Sequence, residues 1–465
     1  MSDATGAGNP PPRPPALGWR DLSAARVGLW GVRLEGLASL RRLRQMHVTP
    51  VLVDDRPAFD EVDGLPVLTG GSGGHDALAA CDVVVKSPGI SRYGPVAEAL
   101  VAAGVALVGG LGLWLEEADR SRVCSITGTK GKSTTAAVAG HLLEHLGYRS
   151  LVAGNIGRPP WDPEAGDDWD YWILETSSYQ ATDLTSSPPV VAVTSLAPDH
   201  LDWHGSVERY YRDKLSACTQ PGAELTVADG TSEELRRRAA LLGPSVRWVL
   251  EGDPSLDGAW VDALELPARH YHRDALIARA CLTGLGVPEA CDEDLLRRAA
   301  RGFAPLESRF HPIGTVDGVE FVDDSLATNV LPTLAALEAM GSRPVALLVG
   351  GQDRGLDYAP LGRAVAVRGA PTLVVALPTA GERARAAVEE ALAQRLADIS
   401  QVDLLDAAEL GTATQAAFEW ARQRPGAAVL LSPAAPSFGQ FRNYKERSAA
   451  FAQAVAACSG RARIS

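Results

Sequence analysis

Short apolar runs alternate with longer stretches rich in Ala, Leu and Arg along almost the whole chain. The runs at 26–31, 49–55, 81–89, 105–110, 122–128, 171–177, 190–195, 343–351, 371–377 and 427–433 read as strands. Strands of this length separated by helical stretches predict α/β layers with parallel sheets. Several of the runs end at Gly, Ser or Asp, where such sheets place their ligand-binding loops. The uncharged stretch 99–115 is broken by Gly104, Gly109, Gly110 and Gly112 and flanked by Glu98, Glu116 and Glu117. It is shorter than the roughly 20 residues needed to cross a bilayer, so it predicts a buried helix followed by a strand.

A chain of 465 residues, 46% of them hydrophobic, exceeds one ordinary core and predicts about three domains. Their expected extents are 21–120, 121–312 and 313–465, the last opening on a hairpin-like GTVDGVEFVDDS. Residues 1–20, rich in Pro and Gly, read as a flexible tail without the basic start and apolar core of a secretory signal. The net charge of −13 excludes non-specific attraction to nucleic acid or to an anionic membrane, so an anionic ligand has to be met by local groups. Six cysteines without a CxxC pair suggest neither a disulfide framework nor a metal site, and predict a reducing, cytoplasmic location.

The sharpest chemical signal is VCSITGTKGKSTTAAVAGHLLEHLG at 123–147, an apolar strand, a glycine loop and a helical pattern in that order. Glycines let backbone N–H groups turn inward and a helix N-terminus adds partial positive charge. Lys132 reaches phosphate oxygens, and the Ser133 hydroxyl joins a Mg²⁺ shell. A glycine-rich turn with a solvated lysine is the plainer alternative. The glycines at 128 and 131 are three apart, giving GxxGKS in place of the longer GxxxxGK[ST].

With that loop, the chain resembles the ATP-dependent Mur ligases of peptidoglycan synthesis, most closely their MurD type. The resemblance is carried by GTKGKST (128–134), GNIG (154–157), ETSSYQ (175–180), DHLDWHG (199–205), YRDKL (211–215), SRF (308–310), DDSLATN (323–329), GGQDR (350–354) and SPAAPSFGQFRNY (432–444). It implies three domains: a Rossmann-like N-terminal domain for the UDP-sugar, a central ATPase domain, and a Rossmann-like C-terminal domain that closes over the site. The implied reaction adds glutamate to UDP-N-acetylmuramoyl-L-alanine through an acyl phosphate, by a monomer that uses ATP and two Mg²⁺ ions.

On the same ground Gly128, Thr129, Lys130, Gly131, Lys132, Ser133, Thr134, Arg309 and Asp324 are expected at ATP. Ser133, Glu175, His200 and Lys214 are expected at Mg²⁺, with Lys132, His200 and Lys214 catalytic. The resemblance implies that Lys214 is carbamylated, which needs a neutral amine and hence a lowered pKa. The acceptor would meet Gly31, Gly36, Asp54, Arg56, Ser87, Gly89 and Asn155, and glutamate would meet Thr328, Arg354, Ser437 and Phe438. Taken alone, Gly31 and Gly36 with Arg33 between them are a weak dinucleotide-loop signal, and a dehydrogenase is the alternative there. Asp202 and His204 are given no role.

The chain departs from the MurD pattern at Leu326, where the family has a lysine, at Arg354 in place of another lysine, and at Tyr444. ARHYHRDA (268–275) replaces the family's residues near adenine, with Tyr271 and Asp274 as the changes. GTKGKST and HLDWHG look more like the branch that adds L-glutamate, which requires an epimerase downstream, than like the branch that adds D-glutamate. A folylpolyglutamate or cyanophycin-type ligase and a nucleotide-dependent switch that has lost ligation are the competing readings.

Overall fold

The computed structural model describes residues 14–155, 157–266, 270–394 and 401–461. They form two compact units. The first comprises the described residues up to Glu265 together with His272–Phe303; the second comprises Leu266, the described residues up to Tyr271, and those from Ala304 on. The first unit holds two sheets and so combines the expected first and second domains. The main segment of the second runs from Ala304, while sequence placed that boundary at 312.

In the first unit, β1 (Val27–Trp30), β2 (Val51–Val53), β3 (Glu61–Val62), β4 (Leu65–Leu68), β5 (Val83–Lys86) and β6 (Ala106–Gly109) form a sheet in the order β3-β4-β2-β1-β5-β6. Only the β3–β4 pair is antiparallel among its pairings. The second sheet takes β7 (Val123–Thr127), β8 (Ser150–Gly154), β9 (Tyr171–Glu175), β10 (Val190–Val193), β11 (Leu225–Asp229) and β12 (Val246–Val249) in the order β12-β11-β10-β7-β9-β8. All its pairings are parallel. Residues of β1, β5, β7 and β10 are buried throughout, as strands covered on both faces must be. One continuous core joins Leu29 and Val85 of the first sheet to Val123 and Leu174 of the second.

The stretch expected as a tail acquires structure before its end. Residues 1–13 lie outside the described residues, but Trp19 is fully buried with its ring 6.3 Å from that of Trp161, because an indole of that area gains more from the core than from water. The uncharged segment 99–115 is the end of a helix, then β6, then a second short helix; the first helix buries only Ala97 and Leu100, with Ala99 and Ala102 exposed, so it is the second helix and not the first that is buried. No helix among the described residues is long and apolar enough to cross a membrane.

The second unit carries β13 (His311–Val316), β14 (Val319–Asp323), β15 (Val345–Gly351), β16 (Thr372–Thr379), β17 (Val402–Asp406) and β18 (Ala428–Leu431), in the order β13-β14-β18-β15-β16-β17. The expected hairpin is the antiparallel β13–β14 pair, and the remaining pairings are parallel. Separate apolar clusters cover its two faces, one around Leu347 and Leu430, the other around Phe321 and Leu348. The helices that matter for the sites are α1 (Leu34–Gln45), α2 (Lys132–His145), α3 (Ser178–Ala181), α4 (Leu201–His204), α5 (Val207–Leu215) and α6 (Tyr444–Arg461). All six cysteines are free thiols, and Cys291 alone is exposed.

Candidate active site

The loop after β7 owes its shape to two glycines. Gly128 and Gly131 have φ of +138° and +92°, values that strain any residue with a Cβ. A Cβ at Gly128 would stand 2.2 Å from Thr194 Oγ1, and one at Gly131 2.5 Å from Asp274 Oδ1. Because β7 lies between β10 and β9, the loop is flanked by residues 194–200 on one side and Glu175 on the other. Thr129 N–H donates to Ser195 O (2.9 Å), Lys130 N–H to Ser195 Oγ (2.8 Å), Ala197 N–H to Thr129 Oγ1 (3.0 Å) and Thr194 Oγ1–H to Lys130 O (2.5 Å). The fourteen-residue helix α2 starts at Lys132, so its positive end faces into the loop.

Two lysines converge there. Lys132 Nζ donates to Gly128 O at 2.9 Å and Thr129 O at 3.3 Å, and Lys214 Nζ, from α5, donates to the same Gly128 O at 2.9 Å. Lys214 is buried. Burial, and after it the charge of Lys132, push its pKa well below the usual lysine range, against the opposing pull of Asp199. The amine therefore has access to its neutral, nucleophilic form.

Glu175 ends β9 and uses both carboxylate oxygens, accepting from Ser133 Oγ–H and, at 2.7 Å, from Asn155 Nδ2. His200 holds a left-handed backbone, φ +52°, at the start of α4, a strained conformation of the kind found at functional sites. Its Nδ1 pairs with the Tyr179 hydroxyl at 2.7 Å. Burial, reinforced by Lys214, Lys130 and Lys132, lowers the imidazole to about 4, so at neutral pH it is uncharged and has a lone pair to offer. Burial alone would raise the Asp199 carboxyl, but Lys130 foremost, its Nζ at 3.6 Å, and then His200 hold it at about 2. No three His, Cys, Asp or Glu side chains among the described residues cluster to hold a metal ion. The adjoining Glu175 carboxylate and Ser133 hydroxyl are the hard oxygen donors that Mg²⁺ favours, and so fit that ion.

Of the residues expected at the acceptor, Gly31, Gly36, Asp54, Arg56, Ser87 and Gly89 gather at the ends of β1, β2 and β5, while Asn155 follows β8 and bonds Glu175. Asp54 accepts from Val32 N–H (2.8 Å) and Arg56 N–H (2.9 Å), and Ser87 Oγ–H donates to Gly31 O (2.9 Å). A Cβ at Gly36 would lie 2.0 Å from Gly31 O, so this turn too is closed to larger residues. Arg33 points its guanidinium to Arg56 O at 3.2 Å and is exposed, leaving the backbone approach open. Gly89 O accepts from Trp203 Nε1–H at 3.3 Å. Of GNIG, Ile156 lies outside the described residues.

The second unit assembles its own set at the ends of β14, β15 and β18. Asp324 accepts from Ser432 Oγ–H (2.7 Å) and Phe310 N–H (3.2 Å). Burial pushes its carboxyl up to about 7, against those bonds and the charge of Arg309. Arg447, from α6, is buried and donates to Ser325 O (2.7 Å) and twice to Ala435 O (3.1 Å). Its fork ties the loop bearing Thr328 to the loop bearing Ser437 and Phe438. Gln352 N–H donates to Pro436 O (2.9 Å), adding the loop of Arg354. Ser437 is buried, while Phe438 and Arg354 are exposed.

Sequence reasoning missed several neighbours of these groups: Asp274 beside Gly131, Tyr179 on His200, Asp199 beside Lys130, and Arg447. Tyr179 lay inside a quoted motif, and its position four residues after Glu175 was the available signal. Asp274 was named only as a change near adenine; its approach to Gly131 depends on the tertiary fold.

The Mur ligase middle domain matches residues 126–241. A UDP-N-acetylmuramoyl-L-alanine--L-glutamate ligase from Salinispora tropica is 38% identical over 95% of this chain and 99% of its own length. One of the same name from Xanthomonas euvesicatoria is 38% identical over 93% of this chain and 95% of its own. Among solved structures, MurF from Acinetobacter baumannii superposes with a TM-score of 0.58 at 15% identity, covering 92% of this chain and 90% of that one. UDP-N-acetylmuramate-alanine ligase MurC from Thermotoga maritima gives 0.55 at 15% identity, covering 93% and 99%. These two share the fold.

Proposed function

Because this chain belongs to the Mur ligase family, we propose that it joins L-glutamate to UDP-N-acetylmuramoyl-L-alanine with cleavage of ATP to ADP and phosphate. The observation that carries the reading is the glycine loop with Lys132 and Lys214 both directed at Gly128 O, on a chain matched over 95% of its length by an L-glutamate ligase.

The γ-phosphoryl group passes to the alanyl carboxylate, giving an acyl phosphate and ADP. The glutamate amine then attacks the acyl carbon, phosphate leaves, and an amide forms. The N–H groups of Gly131, Lys132 and Ser133 at the start of α2 receive the phosphates, those of Thr129 and Lys130 being held by Ser195, and Lys132 leaves Gly128 O to neutralise charge that grows during transfer. Glu175 and Ser133 would hold Mg²⁺, with His200 and a carbamylated Lys214 at a second ion; the metal supplies charge neutralisation when bound. Uncharged His200 suits that role better than an imidazolium would. Arg309 and Asp324 serve the nucleotide, and Thr328, Arg354, Ser437 and Phe438 serve glutamate. The enzyme acts as a cytoplasmic monomer, and an epimerase must invert its L-glutamyl product if the wall requires the D-residue.

The test is phosphate release and amide formation from ATP, UDP-N-acetylmuramoyl-L-alanine and Mg²⁺, with L- and D-glutamate in parallel. Turnover with L-glutamate is expected; turnover with D-glutamate alone assigns the opposite hand, and nucleotide binding without amino-acid-dependent turnover assigns a switch.

A further inference from the structure

His204 and Asp213, to which the ligase reading gives no part, belong to a hydrogen-bonded chain that crosses the first unit. Tyr93 O–H donates to Asp213 Oδ1 at 2.7 Å. Asp213 Oδ2 takes a bond from His204 Nδ1 at 2.6 Å, and His204 Nε2 meets Ser178 Oγ at 2.9 Å. Burial, and after it Asp213, keep the Tyr93 phenol protonated well above its usual range, so it donates. With both carboxylate oxygens accepting, His204 presents N–H at Nδ1, and its Nε2 pairs with the Ser178 hydroxyl. The order Ser, His, Asp is that of a hydrolytic triad, but Ser178 and His204 are 2% and 0% exposed, so no acyl group reaches the hydroxyl.

The placement of the four residues gives the chain its meaning. Ser178 opens α3, three residues beyond Glu175, and Asp213 directly precedes Lys214. His204 closes the α4 turn that His200 begins. Tyr93 lies at the far end of the loop that starts with Ser87 and Gly89. That loop is further seated on α4 by Ser91 Oγ–H donating to Trp203 O (3.2 Å), by Trp203 Nε1–H donating to Gly89 O (3.3 Å), and by the edge of Tyr93 on the Trp203 ring (5.6 Å). The acceptor loop and the elements bearing Glu175, His200 and Lys214 thus share one polar line, buried at Ser178 and His204 and half-buried at Tyr93 and Asp213.

We propose that Tyr93, acting through Asp213, His204 and Ser178, is a positioning residue that sets the register of the acceptor against the phosphate loop. This rests on the ligase reading for the identity of the acceptor. A reacting carboxylate displaced by about 1 Å loses rate steeply, and an acyl phosphate held out of register goes to water in place of glutamate.

Y93F removes one hydroxyl and leaves the ring on Trp203; S178A cuts the other end. In the full-length protein, calorimetric titration should show UDP-N-acetylmuramoyl-L-alanine binding about tenfold more weakly to Y93F, the loss expected for one hydrogen bond to a charged group, with ADP affinity unchanged. Phosphate released per amide formed should rise above one. The double variant should bind the acceptor no worse than the weaker single variant, since both cut the same line. Unchanged acceptor affinity in Y93F, equal losses for acceptor and ADP, or multiplying losses in the double variant would each overturn the proposal. Acceptor binding by the wild type without amide formation would instead sink the ligase reading, while the calorimetric comparison still decides the role of Tyr93.

Discussion

Lys132 and Lys214 illustrate how far one atom can organise a site, since both side-chain nitrogens rest on the carbonyl of Gly128. Replacing Lys132 with Met removes the cation that faces transferring charge and should lower kcat/KM by about 10²–10³-fold in the phosphate-release assay, with the fold retained by circular dichroism. It also removes the nearest like charge from Lys214, whose pKa should climb back toward the usual lysine range. Asp324 offers a second residue-level test. Its carboxyl, raised by burial to about 7, is above its unfolded value, so its stabilising effect is complete below about pH 4 and is lost as pH rises through about 7. The melting temperature of the second unit should therefore fall over that window in the wild type and fall less in D324N. Equal slopes would contradict this account.

At the scale of elements, the legible and the illegible parts of the site divide by the range of the contacts involved. The order β7, glycine loop, α2 was readable because each piece is specified by neighbours in sequence: an apolar run, two glycines, then helix formers. Asp54, Arg56 and Ser87 were placed at strand ends for the same reason, and β1, β2 and β5 bring them together. Tyr179 on His200 and Asp274 beside Gly131 depend on elements packing across the sheet, which periodicity does not report. His204 stood in a quoted motif without a task, since its two partners come from other elements. The glycine loop makes its own prediction. G131A must place a methyl at φ +92° and 2.5 Å from Asp274 Oδ1, which should cost about 2 kcal/mol of local strain and weaken ADP binding by about tenfold or more in calorimetry. Normal affinity in G131A would show the loop to be softer than its contacts imply.

At the scale of the whole molecule, the expected three domains appear as three sheets but two compact units. The first two sheets share one apolar core, and the sequence carries no signature of that shared core because its residues are apolar whichever neighbour they meet. Unfolding should accordingly show two calorimetric transitions. ADP bound at the β7 loop should raise the first unit's transition, by about 2.7 kcal/mol of stability when present at a hundredfold over its dissociation constant. A single transition, or an ADP shift confined to the second unit, would contradict that assignment.

The division also governs what a spectrometer can see. Of the ten tryptophans, Trp420 alone belongs to the second unit. Intrinsic fluorescence is thus an almost private channel for the first unit, whereas far-ultraviolet dichroism weighs the helices of both. A denaturation curve followed by emission should diverge from one followed by ellipticity, and the gap between them is the second unit's own melting in view.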